Sequence, residues 1–174
     1  MKKILLVAAI AALAAPMSAM AIDGTINITG EVKASTCKIN NAVSPANVAV
    51  VLPTVSTTSL KALGDVAGTK AFTIALTECG SLTKATTYFE QGANTLANGN
   101  LKNNGTAGNV QVKLLNSDQS TAINLAGAST LQNSQTVDIT TGAANLNYFA
   151  QYYAVGQSTG GTVNTSVQFT MQYQ

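Results

Sequence analysis

The chain of 174 residues contains no histidine and no tryptophan, its nine basic residues are all lysines, and only 9% of its residues are charged. Without histidine there is no side chain whose ordinary pKa lies near neutrality, which removes the usual base of a hydrolytic triad and the commonest metal ligand. Without arginine there is no bidentate fork for phosphate, and so sparse a positive charge excludes nucleic acid as a partner. Only three prolines and two cysteines occur, and the cysteines lack the CxxC spacing of a redox motif and the paired spacing of a zinc site. The seven carboxylates, Asp23, Glu31, Asp65, Glu78, Glu90, Asp118 and Asp138, form no close pair in sequence of the sort glycoside hydrolysis uses. Residues 64–70 are glycine-rich and end in Lys70, but their spacing does not fit a phosphate-binding loop. Composition therefore points away from catalysis, and no cofactor or metal is expected.

What is present begins with an export signal. Lys2 and Lys3 precede an apolar run, residues 4–15, that is too short for a bilayer span of about 20 residues. Pro16 breaks the run, and Ala19 and Ala21 place small residues where a signal peptidase reads. Residues 1–21 are expected to be removed, with no stable membrane insertion, leaving about 150 residues, enough for one domain with its own core. Loss of Lys2 and Lys3 also balances lysines against carboxylates. In an oxidising compartment the pair Cys37 and Cys79 reads best as a structural disulfide. Closing a loop of about 40 residues contributes roughly 4 kcal/mol in the chain-entropy model.

The rest of the chain reads as short strands separated by turns. β-Branched, aromatic or alternating segments cover residues 47–52, 71–76, 86–90, 110–115, 135–139 and 147–155. Between them stand Pro45, Pro53, Gly64, Gly68, Asn98-Gly99, Asn104-Gly105, Gly127, Gly142 and Gly160-Gly161. Residues 92–108, rich in Gly and Asn, read as hairpins or a surface loop. No segment beyond the signal sustains a helical period, and the spacing suggests a β-sandwich. Tyr148, Phe149, Tyr152 and Tyr153 have mixed strand parity, which reads as core and surface aromatics rather than a sugar-stacking platform. Asn27, Asn104 and Asn164 open N-x-S/T triplets of the kind chance supplies in so Asn- and Thr-rich a chain.

Two stretches alternate most clearly. At the end of the chain Val163, Thr165, Val167, Phe169, Met171 and Tyr173 fall on one face, and Asn164, Ser166, Gln168, Thr170 and Gln172 on the other, before the chain stops at Gln174. At the expected mature start Ile22, Gly24, Ile26 and Ile28 share a face. Alternation alone fits this domain's own first strand as well as a strand lent to a neighbour.

These residues carry a resemblance that runs from Gly24 to the terminus. Residues 24–32 followed by Cys37, then Phe72, Ile74, Leu76 and Cys79 in F-x-I-x-L-x-x-C spacing, then the aromatic strand 149–156, and last Gly161 with the penultimate Tyr173, occur in one order. In this the chain resembles the structural subunits of type 1-like fimbriae assembled by the chaperone-usher route. The resemblance implies an incomplete immunoglobulin-like sandwich that lacks its final strand and is completed by a donor strand from a neighbouring subunit. It implies residues 22–29 as the donor extension, with Ile22, Gly24, Ile26 and Ile28 entering the groove, and residues 30–174 as the pilin domain. It implies Gly161, Val163, Val167, Phe169, Met171, Tyr173 and Gln174 as the groove edge and the contact with a periplasmic chaperone, whose basic residues hold the free carboxylate of Gln174. The implied partners are identical or related subunits, that chaperone and an outer-membrane usher; the implied location is an extracellular fimbria reached through the periplasm. Burying three donor Ile side chains would contribute on the order of 5–9 kcal/mol before ordering costs. Other readings are a minor or adaptor subunit and a free-standing secreted immunoglobulin-like binding module. A tip adhesin with a separate lectin domain would need a longer chain.

Overall fold

A computed structural model describes residues 26–30, 36–42 and 46–174 of the chain. The signal segment 1–21 and the donor positions Ile22 and Gly24 lie outside the described residues. The chain divides into two units, Met1–Lys33 and Ala34–Gln174. In the first, Ile26 and Ile28 are 89% and 90% exposed.

The second unit is built from eight strands: β1 Lys38–Ile39, β2 Val66–Thr77, β3 Lys84–Phe89, β4 Leu101–Lys102, β5 Val110–Leu115, β6 Thr136–Asp138, β7 Ala144–Ala154 and β8 Phe169–Tyr173. Two short 3-10 turns, Thr57–Ser59 and Ser129–Leu131, are the helical elements among the described residues, and no helix there is long and apolar enough to cross a membrane. Five strands form one antiparallel sheet in the order β1-β2-β7-β5-β4, and three form another in the order β6-β3-β8. Period-two burial explains the pairing of the layers: in β3 Ala85, Thr87 and Phe89 turn inward, and in β5 Val110, Val112 and Leu114 do so.

The core lies between the inward faces of the two sheets. Ile74 and Leu76 of β2, Leu146 and Tyr148 of β7 and Phe89 of β3 are almost wholly buried. The Tyr148 ring meets Phe89 edge-on at 5.4 Å between centroids and tilts over Phe72 at 5.6 Å. Its hydroxyl pairs with Ser134 Oγ at 3.0 Å, and burial pushes the phenol above its ordinary pKa. Cys37 and Cys79 form a disulfide that ties the segment before β1 to the turn after β2. Gly68 marks the bulge in the β2–β7 register between Ala67 and Lys70. Its φ is +64°, and a Cβ there would lie 2.8 Å from the Tyr152 ring, so only glycine satisfies both the backbone and the packing.

Strand β6 pairs with β3 from Lys84 to Thr86. At Phe89 a side chain continues the ladder: Gln132, fully buried, accepts from Phe89 N at 3.0 Å through Oε1 and donates to Phe89 O at 2.7 Å through Nε2. The amide thereby supplies both bonds that another strand residue would make. Gln132→Ala leaves the buried Phe89 N–H and C=O unpaired, so stability should fall by about 2–4 kcal/mol. Chemical denaturation of the two chains measures this, and a difference within about 0.5 kcal/mol would contradict it.

Several strands fall where the alternation predicts them. Residues 110–115 agree throughout, and the strands predicted at 71–76, 86–90, 135–139 and 147–155 differ in length or by a few residues at their ends. Two predicted strands differ more. Residues 47–52 pair with nothing among the described residues, and only Phe169–Tyr173, about half of the terminal stripe, forms a strand. Both departures border the same space.

Candidate functional site

That space is an open groove of about 1140 Å³. One wall is the unpaired segment 46–52, the other is residues 163–170, and the floor includes Phe72 and Ile74 of β2, Leu114 of β5 and Ala150 of β7. In the first wall Ala46, Val48, Val50 and Leu52 are half-buried while Asn47, Ala49 and Val51 face solvent. This is the burial of an extended strand, yet among the described residues no backbone hydrogen bond involves residues 46–53.

The second wall is hydrogen-bonded along one edge only. Gln174 exchanges both backbone bonds with Lys84, and Gln168 O accepts from Glu90 N at 2.8 Å, so the even residues of β8 face β3. Upstream, where β3 has ended, the loop 92–108 takes over. Asn104 N donates to Asn164 O at 2.8 Å, Asn103 Oδ1 accepts from Asn164 N at 2.9 Å, and Asn94 Nδ2 donates to Ser166 O at 3.0 Å. Thr162 O accepts from Ala107 N at 3.0 Å. Every even residue from Thr162 to Gln174 thus spends its backbone on that side. The N–H and C=O groups of Val163, Thr165, Val167, Phe169, Met171 and Tyr173 point the other way, along an edge with no partner among the described residues.

Side chains of the same odd residues turn inward, and all six are only half-buried. Five are apolar. The sixth, Thr165, holds its Oγ1 out of solvent with no hydrogen-bond partner among the described residues. The groove lining ends at Thr170; Met171 and Tyr173 lie beyond it, packed on the core, with the Tyr173 phenol pushed above its ordinary pKa by burial against a smaller opposing effect of the Cys37 backbone. Gln174 O is held by Thr83 N at 2.7 Å and Thr83 Oγ1 at 2.9 Å. At the other end Val163 and Tyr152 also line a smaller cleft of about 310 Å³, to which Gly161 belongs. Chemically the groove offers apolar surface and a row of backbone donors and acceptors. Its one carboxylate, Glu90, accepts from the Thr170 hydroxyl at 2.6 Å.

Of the residues singled out in the sequence, Val163, Val167 and Phe169 share the groove, Gly161 belongs to the adjoining cleft, and Met171, Tyr173 and Gln174 continue the edge. The wall 46–52 was legible only as a strand, because nothing in its alternation says that it lacks partners. The loop 92–108 was legible as a loop but not as the support of residues 162–166. Its asparagines, which hydrogen-bond backbone readily, were the available signal.

The antiparallel two-sheet sandwich has likenesses among solved pilus structures. It resembles the P pilus rod subunit PapA with a TM-score of 0.59 at 15% identity, covering 79% of this chain and 99% of that one. A chaperone-usher pilus structure matches with a TM-score of 0.60 at 18% identity, covering 92% and 100%. These likenesses show the immunoglobulin-like fold. Sequence goes further: the family model of type-1 fimbrial protein A matches residues 52–174. The chain is 40% identical to the F17 fimbrial protein of Escherichia coli over the whole of both chains. It is 45% identical to the major fimbrial subunit SMF-1 of Stenotrophomonas maltophilia, covering 92% of this chain and 98% of that protein. The chain belongs to the type-1 fimbrial protein family and is a structural subunit of a fimbria.

Gly161 is where the groove edge is pressed onto its supporting loop. A Cβ there would lie 2.4 Å from Ala107 N and 2.6 Å from Thr106 C, both main-chain atoms, and one on Gly105 would lie 2.2 Å from Thr162 O. Gly161→Ala must therefore push the two segments apart, at a cost of about 1–3 kcal/mol. Gly160, with nothing within 4 Å of its Cβ position, is the control. Thermal unfolding should show a loss of several degrees for Gly161→Ala and little change for Gly160→Ala, and equal melting of the two variants would contradict the account.

Proposed function

We propose that the chain polymerises by donor-strand exchange, residues 22–29 of one copy filling the groove of the next. The observation that carries this reading is the row of odd residues, Val163 to Tyr173, whose backbone edge is free and whose side chains are half-buried opposite an unpaired extended wall. A single extended strand laid between the walls would pair with that edge and cover the apolar floor. Ile22, Gly24, Ile26 and Ile28 supply a strand with one apolar face, and Ile26 and Ile28 are exposed and so accessible to a neighbour.

In this reading residues 1–21 direct export, residues 22–29 are the donor, and residues 30–174 are the acceptor domain. A periplasmic chaperone covers the groove before assembly, reaching Gln174 through its carboxylate, and an outer-membrane usher passes the subunit to the fibre. The donor of the next subunit then replaces the chaperone, and burial of its Ile side chains with a full set of backbone bonds makes the joint long-lived. The polymer stands on the bacterial surface and supports adhesion or biofilm formation.

The test compares the mature chain with a variant carrying a second copy of residues 22–29 after Gln174, joined by a short flexible linker. Filling the groove in this way should raise the melting temperature by about 6–16 °C, since a net gain of about 3–4 kcal/mol moves a domain of this size by about 2–4 °C per kcal/mol. It should also convert a chain that assembles into a monomer. Equal melting with both proteins monomeric would favour the free-standing binding module instead.

A further inference from the structure

Asparagine followed by glycine is the dipeptide most open to spontaneous deamidation, because glycine puts no side chain between its own backbone nitrogen and the preceding carboxamide. The chain holds two such pairs, Asn98-Gly99 and Asn104-Gly105, both in the loop 92–108 that supports the groove edge. The fold requires both glycines: Gly99 has a φ of +81°, and a Cβ on Gly105 would lie 2.2 Å from Thr162 O. Both asparagines are exposed to water.

The two pairs are held differently. Gly99 N donates to the backbone carbonyl of Leu96 at 2.9 Å. Gly105 N donates instead to a side chain, Asn103 Oδ1, at 2.8 Å. That oxygen also accepts from Asn164 N at 2.9 Å, while Asn103 Nδ2 donates to Ala107 O at 2.9 Å and to Thr162 O at 3.2 Å. Two N–H groups meet the oxygen and two carbonyls meet the nitrogen, so only this orientation of the amide satisfies all four. The neighbouring carboxamide of Asn104 is engaged elsewhere, its Nδ2 donating to Asn94 Oδ1 at 2.8 Å.

We propose that Asn104 is a deamidation site that Asn103 holds closed. In the reaction Gly105 N gives up its proton to water and attacks Asn104 Cγ. The new C–N bond displaces Nδ2 as ammonia, and water then opens the succinimide ring to aspartate or isoaspartate. While Gly105 N–H is bound to Asn103 Oδ1, its proton is retained and its nitrogen is kept on a partner other than the Asn104 carboxamide. The damage falls on the groove: Asn104 N donates to Asn164 O at 2.8 Å, and isoaspartate adds a methylene to the main chain directly after that bond. Asn98, whose glycine is bound by main chain rather than by a side chain, is a control within the same loop. The inference holds whether or not a donor strand fills the groove.

The test incubates the mature chain at mildly alkaline pH beside its Asn103→Ala, Asn103→Asp and Gly161→Ala variants and follows deamidation by peptide mass spectrometry. Trypsin cuts after Lys102 and so places the two pairs in separate peptides. In the native chain Asn104 should react roughly tenfold or more slowly than in the free peptide 103–113, since reaction needs the loop to open. Asn103→Ala removes the acceptor and should speed Asn104 by roughly three- to tenfold, the factor one hydrogen bond carries, with Asn98 unchanged. Asn103→Asp keeps an oxygen for Gly105 N but has no donor for Thr162 O and Ala107 O, and Gly161→Ala loosens the same junction without touching Asn103. Asn104 should stay slow in both. Equal rates at Asn104 in the native and Asn103→Ala chains, or a native rate matching the free peptide, would overturn the proposal. So would equal acceleration in all three variants, or acceleration of Asn98 together with Asn104 in Asn103→Ala, because looseness of the loop rather than one acceptor would then set the rate.

Discussion

Everything at the functional end of this molecule depends on the one-sided hydrogen bonding of residues 162–174. Along a β-strand successive residues direct their backbone groups to opposite edges, so a segment held only through its even residues necessarily offers the odd ones. Here the even residues are held by β3 near the terminus and by the asparagine-rich loop further up. Their fixation makes the odd edge a rigid template rather than a loose end. The same parity turns the odd side chains toward the core, so the unpaired edge and the uncovered apolar surface coincide.

A sheet edge and a hydrophobic groove are each unfavourable in water alone, and proteins normally hide edges by charge, bulges or coverage. This chain does the reverse along residues 163–170, where uncharged residues line the groove apart from Glu90. The rest of the core is secured by the Tyr148, Phe89 and Phe72 cluster, two of whose rings also line the groove, by the Gln132 side chain that extends the β3 ladder, and by the Cys37–Cys79 disulfide. A domain whose remaining core is secured in this way can carry an open side, the side that the proposed donor strand would fill.

The alternation of β5 and β7 was readable because both strands sit between partners, where side-chain parity and backbone pairing agree. Residues 47–52 show the limit: Val48, Val50 and Leu52 alternate as a strand does, but pairing is a property of what lies alongside, and alternation does not encode that. Residues 163–168 show it again, since their partners are asparagine side chains and loop backbone from 94 to 107 rather than another strand. Gly161 was visible only through a family pattern; its physical reason, main-chain atoms of Thr106 and Ala107 within 2.4–2.6 Å of where a Cβ would sit, needs the fold. Thr165 looked like an ordinary member of the stripe, and only burial without a partner sets it apart.

Amide hydrogen exchange on residues 163–173, read at single-residue resolution in the isolated subunit and in the assembled polymer, tests the central claim most directly. The account predicts an alternating pattern in the isolated subunit, with Asn164, Thr170 and Gln172 protected and Val163, Thr165, Val167, Phe169, Met171 and Tyr173 exchanging fast. In the polymer the odd amides should become protected as well. Protection of the odd amides already in the isolated subunit, or fast exchange of them in the polymer, would contradict an edge that waits for a strand from another copy.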